Sequence, residues 1–121
     1  MKLRLLDPAF AVCKIPSPLD ADLSAPYAFL SVTEEEVSLV CEAGRVPASA
    51  IKVEWGFRCL TVEGPLEFSM VGVIAGISAI LAERGISLFV VSTYDTDYIL
   101  LKEDALERAL AALTERGYSY D

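Results

Sequence analysis

Apolar and polar positions alternate along this chain in a pattern that is used twice. Residues 27–42 read YAFLSVTEEEVSLVCE and residues 88–103 read LFVVSTYDTDYILLKE. Each segment is an apolar run, a serine, an acidic turn and a second apolar run. A slide of 61 positions sets Ser31 on Ser92, Glu34 on Asp95, Glu36 on Asp97 and Leu39 on Leu100. One hairpin used twice predicts two pseudo-equivalent halves. The seam between such halves is a natural place for a ligand.

The same pattern predicts the other elements. Residues 2–6 and 9–15 read as short strands around an Asp7-Pro8 turn. Residues 16–26, with three prolines, read as a loop. A strand follows over 27–32. Thr33 with Glu36 resembles a capping box, but Val37–Val40 alternates like a strand, which limits any helix there to a single turn. Residues 43–50 form a second loop. Ile51, Val53 and Trp55 alternate with Lys52 and Glu54, so 51–62 is a long strand with a bend expected at Gly56. A helix is expected from Leu66 or Phe68 to Arg84, with Gly72 and Gly76 on one face for close approach to a sheet and Gly85 at its end. Strands at 86–93 and 97–102 and a helix over 103–116 complete the chain. Glu103, Asp104 and Glu107 sit at the positive end of that helix and Arg116 at the negative end. Leu106, Ala109, Leu110 and Leu113 make its apolar stripe. The order from residue 51 onward is βαββα, a ferredoxin-like order without its last strand. That strand must come from the N-terminal part or a partner chain, or be absent. The fold class is therefore mixed α/β (α+β).

Composition narrows the function. The 121 residues are 54% hydrophobic, enough for a core. They suit one compact domain or two very small fused units. The net charge is −8, and the ten Lys and Arg residues form no run. Nucleic acid and anionic membranes are disfavoured as partners. Met70–Ala82 is too short to span a bilayer and reads as core helix. No signal-peptide pattern opens the chain. Cys13, Cys41 and Cys59 lack CxxC spacing and lie in apolar runs, which reads as buried reduced thiols in a cytoplasmic protein. There is no histidine, which removes the commonest general base and metal ligand. No Gly-rich phosphate loop is present, and the spacing of Glu34, Glu36, Asp95 and Asp97 fits no ion loop. The expectation is a protein without cofactor, metal or catalytic residues.

The stretch GISLFVVSTYDTDYILLKEDALERAL resembles the second hairpin and helix of ACT domains, of the type found in aspartate-kinase regulatory regions and in the cytosolic arginine sensors of the CASTOR family. The resemblance covers residues 51–117, and 9–50 more weakly. It implies pseudo-tandem ACT units, a truncated one over 1–50 and a fuller one over 51–121. It also implies a regulator or sensor that binds a small effector, often an amino acid, at the seam. A homodimer and a regulated enzyme on a separate chain fit that picture. Aspartate-kinase ACT units often carry Pro-Gly-Val at the start of the first helix. Here that stretch is Ser69-Met70-Val71-Gly72-Val73.

A zwitterion site follows as an expectation. Amides along Glu63–Val73, the stretch into the helix start that holds Ser69, Met70, Val71 and Gly72, would favour a carboxylate. Asp95 and Asp97 would accept from an ammonium group. Ser31 and Val32, with Ser92 and Thr93, would complete the site through their backbones. The plainer reading makes Asp95 and Asp97 turn formers, Ser69 an N-cap, Gly72 a packing residue, Glu34–Glu36 solvated charges and Trp55 core or interface. A ligand-free interaction module is the competing function.

Overall fold

In the computed structural model, which describes residues 1–63 and 72–121, the alternating runs become strands and the 3.6-period runs become helices. In chain order they are β1 (Lys2–Leu5), β2 (Phe10–Lys14), β3 (Phe29–Val32), β4 (Val37–Glu42), β5 (Lys52–Val62), α1 (Val73–Glu83), β6 (Phe89–Ser92), β7 (Asp97–Lys102), α2 (Leu106–Glu115) and β8 (Ser119–Tyr120). The chain divides into a first unit, Pro8–Phe57, and a second unit formed by Met1–Asp7 with Arg58–Asp121. β5 lends its first six residues to the one and its last five to the other.

The first unit is a sheet of order β3-β4-β2-β5, antiparallel throughout. This is the ferredoxin-like strand order with both helices replaced by irregular chain. One replacement, after β2, holds a 3-10 turn at Pro18–Asp20, and the other, after β4, holds one at Ala43–Arg45. Three prolines in the first stretch cannot donate the bonds of a helix interior. Cys13, Ile15, Leu39 and Cys41 form the core, with Ala21, Val46 and Ala50 of the irregular stretches packed on it. The bend expected in β5 is real. The β2–β5 register slips between Phe10↔Phe57 and Val12↔Glu54, and Gly56 takes φ 81° to absorb the extra residue.

The second unit has the order β6-β7-β5-β1-β8. β1 runs antiparallel to β5 and fills the position of the strand that the C-terminal half lacks, while β8 adds outside it in parallel. Leu3, Leu60, Val62, Ile99 and Leu101 point to one face and pack on Ile77, Leu81, Ala109 and Leu113 of the two helices. Both helices stop in the same way. Gly85 and Gly117 take positive φ, and the next amides, of Ile86 and Tyr118, return to the carbonyls of Leu81 and Leu113. Ile86 is spent on that cap and on the core, so β6 starts at Phe89 rather than at Ile86. Gly72 and Gly76 do not serve the sheet. Gly72 caps α1 at φ 83°, and a side chain at Gly76 would meet the Tyr118 hydroxyl at 3.3 Å. The start expected for the helix, at Leu66 or Phe68, falls within 64–71, outside the described residues.

The repeat is present with an offset of 60, not 61. Phe29 pairs with Val40 where Phe89 pairs with Leu100, and Val32 pairs with Val37 where Ser92 pairs with Asp97. The Thr33 amide donates to the Glu36 carbonyl (2.9 Å) as Thr93 does to that of Thr96 (2.8 Å). The 3-10 turns at Ala43–Arg45 and Glu103–Ala105 keep the same offset. Ser31 is thus the counterpart of Val91, and Ser92 the counterpart of Val32. In a strand, a slip of one residue exchanges the faces. The turn after Thr33 holds no helix. The Thr33 hydroxyl accepts from the amides of Glu35 and Glu36, as in a cap, and the chain then enters β4.

Candidate functional site

Strand alternation in the second unit sends every second side chain to the sheet face away from α1 and α2. Leu3, Leu60, Val62 and Ile99 face the helices, so Arg4, Thr61, Glu63 and Tyr98 face the other way. Arg4 and Thr61 are direct cross-strand partners on β1 and β5. Together with Val62 and with Asp95 and Thr96 of the β6–β7 turn, these residues line a cavity of about 430 Å³.

The lining is polar and anchored. Thr61 is the one buried polar side chain among the described residues. Its hydroxyl donates to the Asp97 carbonyl at 3.0 Å, and the Thr96 hydroxyl donates to the Val62 carbonyl at 2.9 Å. These two bonds run in opposite senses between β5 and the start of β7. The turn itself is closed by the Thr93 amide and hydroxyl, both donating to the Thr96 carbonyl. Arg4 supplies positive charge, and Glu63 and Asp95 supply negative charge. Glu63 also lies 3.8 Å from the Lys2 ammonium. The Lys2 ammonium titrates above its ordinary range, chiefly through its bond to Asp121 and then through the Glu63 charge.

Of the residues expected at a site, Asp95 lines this cavity. Asp97 does not. It shares the helix-side face with Ile99, and its carboxylate accepts the Ser92 hydroxyl across the hairpin. Thr93 is spent on the turn. Ser31 and Val32 belong to β3 of the first unit, exposed at its end. Gly72 is the exposed cap of α1, and Ser69, Met70 and Val71 lie outside the described residues. Arg4, Thr61, Thr96 and Tyr98 were not foreseen, and Glu63 was foreseen only as the start of the stretch into the helix. Arg4 and Thr61 stand 57 positions apart, and only the β1–β5 pairing brings them together. The available signal was a polar residue inside each of two apolar runs, KLRL and CLTV.

The first unit has a shallower depression of about 280 Å³ near the matched turn, lined by Lys14, Thr33, Glu34, Glu35, Glu36 and Ile51 among others. Catalytic chemistry finds little material in either place. The three cysteines are buried and unbridged. Burial pushes the Cys41 and Cys59 thiols up to about 12, and raises Cys13 as well. Such thiols stay protonated and unreactive near neutrality. Among the described residues no group of His, Cys, Asp and Glu is arranged to hold a metal. No described helix is long and apolar enough to cross a membrane.

The fold is ferredoxin-like, and the family it belongs to is one of regulatory ligand-binding domains. The ACT domain family matches residues 52–115, more than half of the chain, and the chain belongs to that family. No curated protein matches the sequence. Among solved structures, a protein from Agobacterium tumefaciens is similar at 29% identity and a TM-score of 0.87, over 99% of this chain and 91% of that one. A Vibrio cholerae protein of unknown function, described as a possible transport protein, is similar at 26% identity and a TM-score of 0.72, over 92% and 85%. The aspartate kinase of Clostridium acetobutylicum, described as an allosteric enzyme, shares the fold at 10% identity and a TM-score of 0.67. There the match covers 93% of this chain and 34% of the kinase.

Proposed function

We propose that this protein is a regulator or sensor whose effector is an amino acid, held in the second-unit cavity. The carrying observation is the charge pattern of the lining, with Arg4, Glu63 and Asp95 around one cavity. A zwitterion needs both signs within a few ångströms. The Arg4 side chain brings the positive charge that an α-carboxylate pairs with, and Asp95 or Glu63 accepts from an α-ammonium. The thiols and the lack of histidine supply no competing chemistry. Effector binding would act by favouring one packing or one assembly of the chain over another. The regulated partner on this reading is an enzyme on a separate chain.

A thermal-shift screen against the twenty amino acids tests the reading, because a ligand that binds only the folded state raises the midpoint with dose. One or two amino acids should shift the wild type. Arg4→Gln should weaken the responding ligand about 10- to 100-fold, the range for a charge-assisted bond. A wild type that shifts with none of them at millimolar concentration defeats the proposal.

One observation favours a second reading, an association module. Val32, Trp55 and Phe89 are large apolar side chains left exposed, at 60%, 54% and 41%. Val32 and Phe89 sit on β3 and β6, the end strands of their sheets. A mass that rises with concentration, without any ligand response, would select it.

A further inference from the structure

We infer that Thr61 and Thr96 are positioning residues, which fix the β6–β7 turn so that Asp95 is held ready at the cavity. This rests on the cavity being the effector site. The argument comes from the repeat. The two hairpin turns share their backbone design, with Thr33 and Thr93 donating to residues three positions on. The second turn is further tied by two threonine side chains, Thr96 to the Val62 carbonyl and Thr61 to the Asp97 carbonyl, whereas in the first turn the matched Val37 carbonyl accepts from the Ile15 main-chain amide. At the position of Thr96 the first turn has Glu36, whose exposed side chain makes no such bond among the described residues.

Among the described residues these side-chain bonds have no counterpart in the first hairpin. They tie the second turn to β5 at residues that line the cavity, with Asp95 immediately before the tie. An exposed turn ordinarily samples several arrangements, and a ligand that must order it binds more weakly. Thr61 is buried and its hydroxyl is satisfied, so the tie sits in a place that water does not readily replace. The structure thus has a cavity whose acidic group is set before the ligand arrives.

Thr96→Val removes the hydroxyl and keeps the shape, and Thr96→Ser keeps the hydroxyl. Amide exchange in the free protein reads the tie directly. The Thr93 amide should exchange about three- to tenfold faster in Thr96→Val, the effect of one lost hydrogen bond. Thr96→Ser should restore it, and the Thr33 amide should be unchanged in both. Glu36→Val, at the matched position, should leave the Thr33 amide unchanged. For binding, the probe is the amino acid that shifts the wild type most. Thr96→Val should weaken it by about three- to tenfold at an unchanged pH profile, with Thr96→Ser near wild type. Equal exchange in wild type and Thr96→Val, or a serine variant that behaves as the valine one, overturns the inference. So does unweakened binding in Thr96→Val. A wild type that binds no amino acid defeats the effector reading alone, and the exchange result still decides whether the tie exists.

Discussion

The two hairpins of this protein share a backbone and differ in what surrounds it. β4 and β7 have the same burial sequence, two half-buried positions, three buried and one half-buried. Their turns and their 3-10 exits repeat at an offset of 60. Yet β7 packs into a core built with two helices, and β4 into one completed by irregular chain. The backbone pattern of a β-hairpin is thus indifferent to the cover it receives. What the cover changes is how much the neighbourhood can relax, and what the turn side chains are free to do.

The strongest way to break the comparison is to cut matched core side chains. Leu39 and Ile99 occupy equivalent positions, each fully buried. Ile99→Ala should cost about 3–5 kcal/mol, since helices on the facing side collapse poorly into the space. Leu39→Ala should cost about 2–3 kcal/mol, because irregular chain at Ala21, Val46 and Ala50 can move inward. Urea denaturation of each variant measures the difference. Equal costs would mean that the helical cover adds no stiffness.

Much of this architecture was legible in the chain, for a physical reason. Both hairpins, α2 and the helix-ending Gly85 and Gly117 follow from local alternation and from backbone preference, which act within a few residues. What was hidden is long-range pairing. Nothing in KLRL says that it pairs with RCLTV rather than with its neighbour FAVCK, so the supplier of the missing strand was left open. The offset of 61 matched serines and acids by chemical likeness. The backbone matches threonines, Thr33 with Thr93, and the difference of one moves Asp97 to the helix side. The candidate site was therefore legible at Asp95, which sits in a turn, and illegible at Arg4 and Thr61, which depend on register.

A second comparison uses the buried thiols, Cys41 in one unit and Cys59 in the other. Each is raised by burial from an ordinary 9.0 to about 12. The folded state keeps its proton where the unfolded chain loses it. The stabilisation is complete below pH 9 and is lost as pH rises from about 9 to about 12. The denaturation midpoint should fall through that window. Cys59→Ala and Cys41→Ala should each flatten the fall to a similar extent, since the two thiols are raised alike, while lowering the stability at pH 7. A midpoint that stays level from pH 9 to 11 would show that the thiols do not resist ionisation.

The smallest expected effect is the most pointed test of the site. Val32 faces Val37 where Ser92 faces Asp97. The hydrogen-bonded pair of one hairpin thus stands where the other has an apolar cross-strand pair. Ser92→Val combined with Asp97→Val transplants the first arrangement onto the second. The bond lost is exposed and so worth little. The valines gain strand preference and a β-branched contact. Stability should change by no more than about 0.5 kcal/mol. Effector affinity should stay within about twofold, because Asp97 lies on the helix-side face and Asp95 lines the cavity. The measurement is a titration of the responding amino acid into the double variant, beside Asp95→Asn. If the double variant loses binding and Asp95→Asn keeps it, the effector sits on the helix side of the sheet, and the likeness of Ser31 to Ser92 that the offset of 61 suggested regains its functional meaning. If the losses fall the other way, register rather than chemical likeness decides which acid of the turn is the binding group.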